Sequence, residues 1–407
     1  MPAYHPLSVE EAIELAKSIS GHFSADSDLS CREIGDGNLN LVFHVTDKHS
    51  DKSIIIKQAV PYAKVVGESW PLSLDRARIE RQALQIQHKL CPDLVPEVYA
   101  YSDEMAYTVM EDLSRFTIMR KGLIEGGVYP NFAQHIGRFM ANTLFYTSDL
   151  GMNQQEKKVL AGQFVNPDLC KITEDLIFED PYRDSPNNNY SDAIADEAKA
   201  LRNDTQLHFE VALLRDKFLT RGQALLHGDL HTGSIFVTPD STMVIDPEFA
   251  YYGPMGFDIG AVIANLLLNY ASQPGWSEDE TILSGRQQRL LNMCTDVWKH
   301  FENNFRQLWD KDLQDEMSRT PGYQDHYIAE VLRDAAGFAG CKMIRRIVGL
   351  SHVADIEGIK NDEIREASQR KSLAIGKALV RHHRSISSAE QLIQLVQQTV
   401  HETEVSL

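Results

Sequence analysis

The sequence predicts an α+β protein of two lobes: a small N-terminal lobe rich in antiparallel β-structure, and a larger, mainly helical C-terminal lobe. Three observations carry this. Runs of β-branched and aromatic residues separated by polar turns dominate residues 33–110. Long stretches with apolar residues at helical spacing fill most of the chain beyond residue 113. A short β-rich insert interrupts the helical half at residues 223–248. The break falls near residue 113, giving domains of 1–113 and 114–407, and 407 residues suffice for two separate cores.

The elements run in order along the chain. Ser8-Val-Glu-Glu11 has the spacing of a capping box, and Ala12, Ile13, Ala16 and Ile19 recur at helical intervals, so a helix spans about 9–20. Residues 33–45 and 53–59, joined by a polar turn, predict an antiparallel hairpin. Ala77, Ile79, Ala83, Leu84 and Ile86 predict a helix over 74–90, and two strands come next at 98–101 and 105–110. Helical patterns then run at 131–149, 190–220, 279–315, 326–350 and 357–400, with a small hairpin at 234–238 and 242–245. Asn187-Asn-Asn189 beside Pro186 reads as a flexible loop.

Composition narrows the function. Hydrophobic residues at 43% and charged residues at 24% are the mixture of a folded protein rather than a disordered one. Against 58 acidic residues stand 40 basic ones, a net charge of −18 that repels phosphate backbones. Nucleic-acid and anionic-membrane partners are therefore not expected. An anionic ligand would need local cations or a metal. Cys31, Cys91, Cys170, Cys294 and Cys341 are scattered and contain no Cys-x-x-Cys, which points to reduced thiols and a cytoplasmic protein. Glu10, Glu11 and Glu14 stand where a signal peptide needs an apolar run. The apolar stretch after Asp258 is broken by Asn265 and is too short for the ~20 residues of a membrane span.

Several motifs carry chemistry. Gly35-Asp36-Gly37-Asn38-Leu39-Asn40 lies between strands, where glycines let backbone N–H groups approach a phosphate; a plain hairpin turn is the alternative. Lys57 ends an Ile-rich strand and serves phosphates if it points beneath that loop, or is simply a solvated edge lysine. Glu80 is one candidate to orient it and Glu68 another.

His227-Gly-Asp229-Leu-His231-Thr-Gly-Ser234 is the strongest local pattern. It reads either as three metal ligands, with a metallohydrolase as the consequence, or as a catalytic loop in which Asp229 accepts or orients a hydroxyl proton. In Asp246-Pro247-Glu248 the two carboxylates share one face of an extended segment and suit a hard cation such as Mg2+. Asp258 is either a helix N-cap or a buried clamp beneath the Asp229 loop. Arg345 and Arg346 point about 100° apart on a helix and suit an anionic or polyhydroxylated ligand, or else solvent.

In this order the pieces resemble the protein-kinase-like fold, and the His-Gly-Asp loop resembles its aminoglycoside and choline kinase branch. Residues 58–71, the loop through Ser234, Asp-Pro-Glu248 and the twin arginines resemble the 5-methylthioribose kinase family in particular, over about residues 8–370. Ser234 where the wider fold has Asn, and Glu248 in the metal motif, match that family and count against an antibiotic kinase.

The resemblance implies a kinase that uses ATP and Mg2+ to phosphorylate the C1 hydroxyl of 5-methylthioribose in methionine salvage. Gly35, Asp36, Gly37, Asn38, Asn40 and Lys57 would then meet the nucleotide phosphates, and Glu111, Asp112 and Leu113 would bind adenine through their backbone. Asp246 and Glu248, flanking Pro247, would hold magnesium, Asp229 would be the catalytic acceptor, and Arg345 and Arg346 would hold the sugar. A homodimer is also implied. The competing expectations are a kinase of choline, homoserine or an aminoglycoside, and a non-catalytic nucleotide-binding regulator.

Overall fold

A computed structural model describes residues 4–19, 21–24, 26–34, 40–63 and 67–405. Its chain divides into two units, Met1–Phe116 with Met243–Ala250, and Thr117–Thr242 with Tyr251–Leu407. The first boundary lies three residues beyond the expected one. Residues Met243–Ala250, expected in the helical lobe, join the N-terminal unit, where the Val244 N–H donates to the Leu94 carbonyl at 2.7 Å.

In the N-terminal unit the described residues form a five-stranded antiparallel sheet in the order Leu29–Glu33, Asn40–Asp47, Ser53–Ala59, Tyr107–Glu111, Val98–Ser102. The two-residue period of Ser53–Ala59 decides what each face does. Ile54 and Ile56 point to one side and bury with Phe43, Val45 and Val109 against Ala12 and Ala16 of the helix Val9–Ser18. That helix starts at the expected capping box, with Ser8 and Glu11 satisfying each other's backbone N–H groups. Lys57 points to the opposite side, toward the helix Asp75–Leu90.

The helical unit is organised around Gly256–Ser272, every residue of which is buried. A helix apolar on all sides has to be enclosed, and this one is the apolar stretch weighed as a membrane segment. No described helix is long and apolar enough to cross a membrane. Tyr323–Val348 packs along it and Asp362–His382 packs on Tyr323–Val348 in turn, while Glu280–Asp312 lies against Phe132–Tyr146.

Two long expected helices are broken by caps. Residues 190–220 split at Asp204, whose carboxylate accepts the Leu207 N–H at 3.0 Å, and 357–400 splits between Asp362–His382 and Ala389–Val405. The segment at 187–189 is tied rather than loose. Asn187 and Asn188 both donate to Asp180, at 3.0 and 2.7 Å, and the Asn189 N–H donates to the Val348 carbonyl at 3.1 Å.

Glycine permits a close helix contact. A Cβ on Gly260 would lie 2.6 Å from the Ala335 carbonyl oxygen and 2.9 Å from the Ala339 nitrogen, both backbone atoms that cannot move aside alone. Gly260→Val should therefore destabilise the protein by about 1–3 kcal/mol, read as a lower melting temperature. An unchanged melting temperature would count against this contact.

Candidate active site

In the N-terminal unit Lys57 is the hub of an acidic cluster. Its Nζ donates to Glu80 Oε1 at 2.7 Å and also bonds the Asp246 carboxylate. Glu80 is thus one acid on Lys57, and the Glu68 side chain lies outside the described residues. Arg76 lies one helical turn before Glu80 on the same buried face. It donates to the Val60 carbonyl at 2.7 Å and to the Asn40 side-chain oxygen, and lies 3.5 Å from Glu248. Asn40, grouped by sequence with the glycine loop, instead spends its amide here, its Nδ2 donating to Glu248 Oε2 at 3.2 Å. Gly35, Asp36, Gly37 and Asn38 lie outside the described residues.

Asp246 has φ +70°, a left-handed conformation that Asp tolerates better than most residues. Glu80, Asp246 and Glu248 each bring one carboxylate oxygen within 4.8 Å of the others, and among the described residues they are the one group of three His, Cys, Asp or Glu side chains with this geometry. Three carboxylates against Lys57 and Arg76 leave a net charge of −1 if all are ionised. The electrostatics register the crowding. Burial, then the neighbouring carboxylates, push Glu80 up to about 7 and raise Glu248 as well. Burial opposes the charge on Lys57, yet Asp246, Glu80 and Glu248 together hold its pKa well above the ordinary value. Oxygen donors with surplus negative charge fit a hard divalent cation.

At the expected hinge, the Glu111 N–H donates to the Glu97 carbonyl at 2.9 Å, and the Leu113 carbonyl accepts from the Phe116 N–H at 2.8 Å. The Asp112 carboxylate accepts from the Ser53 hydroxyl at 2.7 Å and from the Ser114 N–H at 2.9 Å, and pairs with His44 at 3.0 Å. Burial works against its charge, but the Ser114 and Ser53 bonds hold its pKa below the ordinary value. Its side chain is a brace.

The helical unit holds the Asp229 loop. Asp258 sits in the first turn of Gly256–Ser272 without capping it, and its carboxylate accepts the N–H groups of His227 at 2.7 Å and Gly228 at 3.0 Å. The clamp reading of Asp258 is the correct one. Gly228 at φ +84° turns the chain there without a Cβ penalty.

His231 Nδ1 accepts the N–H groups of Gly233 at 3.0 Å and Ser234 at 3.1 Å, so it carries no proton. The proton of the neutral ring then sits on Nε2, 3.3 Å from Asp229 Oδ2. That places Nε2 beside one carboxylate oxygen of Asp229. The Ser234 hydroxyl closes the loop by donating to the Asp229 carbonyl at 3.1 Å. A metal bound by His227, Asp229 and His231 does not fit this use of the nitrogens.

The twin arginines lie on Tyr323–Val348. Arg346 is buried and donates to the Ser351 carbonyl at 3.2 Å and to its hydroxyl at 3.1 Å, while Arg345 is half-buried. Lys342, which the sequence reading passed over, completes a cationic face with them. The spacing i, i+3, i+4 was the available signal. Its ammonium sits 3.7 Å from the centroid of the Phe257 ring, and burial lowers its pKa to about 8. Arg120 adds a fourth cation, paired with Asp355 at 3.2 Å and donating to Asn265 at 3.0 Å. Burial opposes ionisation of Asp229, but His231, Lys342, Arg346 and Arg345 hold its carboxyl far below the usual range.

Residues 30–286 match the phosphotransferase enzyme family, APH, which with this fold defines a phosphotransferase. A methylthioribose kinase of Geobacillus sp. (strain WCH70) is 52% identical over 398 residues, covering 98% of this chain and 97% of the relative. Those of Geobacillus thermodenitrificans (strain NG80-2) and Bacillus mycoides (strain KBAB4) are 51% and 49% identical, each covering 98% of both chains. The chain belongs to the methylthioribose kinase family and is a kinase.

The Lys342 pKa makes a prediction with a definite sign. Between about 8 in the folded protein and 10.5 in the unfolded chain, the unfolded state binds more protons, so this group's contribution to stability rises with pH across that window. The stability of wild type relative to Lys342→Met should therefore increase from pH 8 upward, measured by denaturant melts of both proteins. A pH-independent difference would show that Lys342 is not held in a charge-disfavouring site.

Proposed function

We propose that this kinase transfers the γ-phosphoryl group of ATP to the anomeric C1 hydroxyl of 5-methylthioribose, giving ADP and 5-methylthioribose 1-phosphate in methionine salvage. The observation that carries the reading is about half identity to methylthioribose kinases over nearly the whole chain, in a protein that keeps both charged clusters. The reading includes a cytoplasmic homodimer with a small-molecule substrate and no nucleic-acid or membrane partner, as the family resemblance implies.

In this reading Lys57 contacts the nucleotide phosphates, with Glu80 fixing its direction, and the glycine segment covers them. Adenine meets the backbone of Glu111 to Leu113. Asp246 and Glu248 hold magnesium, with Arg76 and Asn40 bracing Glu248. Bound magnesium supplies charge neutralisation on the phosphate oxygens.

Asp229 takes the C1 hydroxyl. Its low pKa keeps it ionised at neutral pH, so it orients the hydroxyl and accepts the proton as the bond to phosphorus forms. His231 keeps the other carboxylate oxygen occupied and the side chain in one orientation. Arg345 and Arg346 hold the sugar and offset charge on the transferred group, with Lys342 raising the local potential. A cationic acceptor such as choline or an aminoglycoside would meet repulsion from this face.

The test is ADP release with Mg-ATP and 5-methylthioribose, beside ribose, choline, homoserine and kanamycin. Turnover should be selective for 5-methylthioribose; preference for another alcohol overturns the substrate. Asp229→Ala should lower kcat by roughly 10²–10⁴-fold while leaving ATP affinity nearly unchanged, and a parallel loss of ATP binding would mean that its role is misassigned. Glu248→Gln should raise the magnesium concentration for half-maximal rate by roughly tenfold or more. An unchanged magnesium titration would remove Glu248 from the metal site.

A further inference from the structure

Within the helical unit, main-chain bonds fasten Arg120 to the Asp229 loop. The strand that leaves the loop, Ile235–Val237, pairs antiparallel with Thr117–Ile118, Phe236 opposite Ile118. Two residues beyond Ile118, the Arg120 N–H donates to the Thr232 carbonyl at 3.1 Å. The side chain of Arg120 therefore starts against the loop.

Its guanidinium has three nitrogens, and protein groups account for two. Nη2 donates to Asn265 Oδ1 at 3.0 Å, and that atom is an oxygen because Asn265 Nδ2 donates to the Ala261 carbonyl at 2.8 Å. Nε is enclosed and lies 3.2 Å from Asp355 Oδ2, while Asn269 donates to the other carboxylate oxygen at 2.7 Å. Nη1 meets no acceptor among the described residues and, unlike Nε, is not enclosed, in a side chain that stays 18% exposed.

The place of Nη1 follows from its neighbours. A Cβ on Gly233 would lie 2.9 Å from Nη1 and 2.8 Å from His231 Cε1, so the two atoms flank one gap over Gly233. The next atom of that ring, Nε2, is 3.3 Å from Asp229 Oδ2. One imidazole thus has the Asp229 carboxylate beside one atom and the gap that Nη1 borders beside another. Arg120 also belongs to the field of the twin arginines. Burial lowers the pKa values of Arg345 and Arg346, and Arg120 is among the cations that lower them further.

We propose that Arg120 is a further substrate-binding residue, its Nη1 donating to an oxygen of the polyhydroxylated acceptor. In this role it presupposes, as proposed above, that Asp229 takes the reacting hydroxyl, whichever polyol carries it. A counter-ion for Asp355 alone needs one donor nitrogen, which a lysine supplies; the planar fork serves Asp355 and Asn265 and leaves a nitrogen over. Asp355 offsets the charge, so Nη1 offers directed N–H groups more than net charge. That suits the neutral oxygens of a polyol better than a phosphoryl group.

Initial rates of the full-length protein at saturating Mg-ATP test this, with 5-methylthioribose or whichever other alcohol the wild type turns over best. Arg120→Lys keeps a charge against Asp355 and should melt near the wild-type temperature. Its KM for the acceptor should rise about 10–100-fold, while kcat falls and the KM for ATP rises by less than about threefold. If the lysine variant does not fold, Arg120→Gln with Asp355→Asn removes both charges together, strands neither, and should show the same rise. An acceptor KM at the wild-type value in the folded variant would reduce Arg120 to a counter-ion and overturn the proposal. So would a fall in kcat with no rise in acceptor KM, which would place Nη1 on the transferred group. Choosing the acceptor by wild-type turnover keeps the two claims apart: preference for another polyol overturns the sugar alone, and preference for choline, which has no second oxygen, overturns both.

Discussion

The Asp258 carboxylate, fully enclosed, ends two backbone N–H bonds from His227 and Gly228. Burial alone drives such a group toward its neutral form, and its pKa is raised. The two amide donors and the neighbouring Lys342 work in the other direction. Neither side of this bond can relax independently, because Asp258 belongs to a helix with no exposed face and Gly228 sits in a left-handed turn. The rigidity of the packed core is thus passed directly to the chain that carries Asp229. His231 then lies beside the Asp229 carboxylate, in a tautomer dictated by two further backbone N–H groups.

The two units solve opposite electrostatic problems. Around Lys57, three acids outnumber two bases; around Asp229, Lys342, Arg345, Arg346 and Arg120 outnumber Asp229, Asp258 and Asp355 by one. Buried charges in either excess are costly until a counter-charge arrives. In the proposed reaction a metal meets the first excess, and the oxygens of sugar and phosphate meet the second. A net charge of −18 is therefore no obstacle to binding polyanions, since screening confines distant surface charge to a range of about 8–10 Å while the local groups act at contact.

Much of this was legible in the sequence where a local rule dominates. The capping box at Ser8 and Glu11 marked a helix start, and the β-branched run Ile54, Ile55 and Ile56 marked a strand, though not its faces. The site motifs carried their chemistry in short segments, because the Asp229 loop and Asp246-Pro-Glu248 each act within a few residues. What could not be read depends on long-range packing. The clamp between Asp258 and His227, in the sequence only one of two readings, joins residues 31 apart, and Arg76 reaches Asn40 and Glu248 from a helix whose propensity says nothing about partners. Lys342 was missed for a different reason: a lysine at helical spacing normally reaches solvent, and only the enclosure of Tyr323–Val348 keeps this one inside.

Ser234 and Glu248 are each fully engaged where they stand. Ser234 is buried and donates its only hydroxyl proton to the Asp229 carbonyl, so it seals the loop but offers no amide oxygen to a cation. Glu248 puts a carboxylate in a buried place. An unpaired charge there would protonate or repel its neighbours. Arg76 and Asn40 answer that cost, one by charge and the other by a directed hydrogen bond. Arg76 and Glu248 are therefore matched to each other, and removing either changes the buried charge that the other faces at 3.5 Å. One face of the helix Asp75–Leu90 presents Arg76 and Glu80 together, so a single element sets both the cation beside Glu248 and the acid beside Lys57.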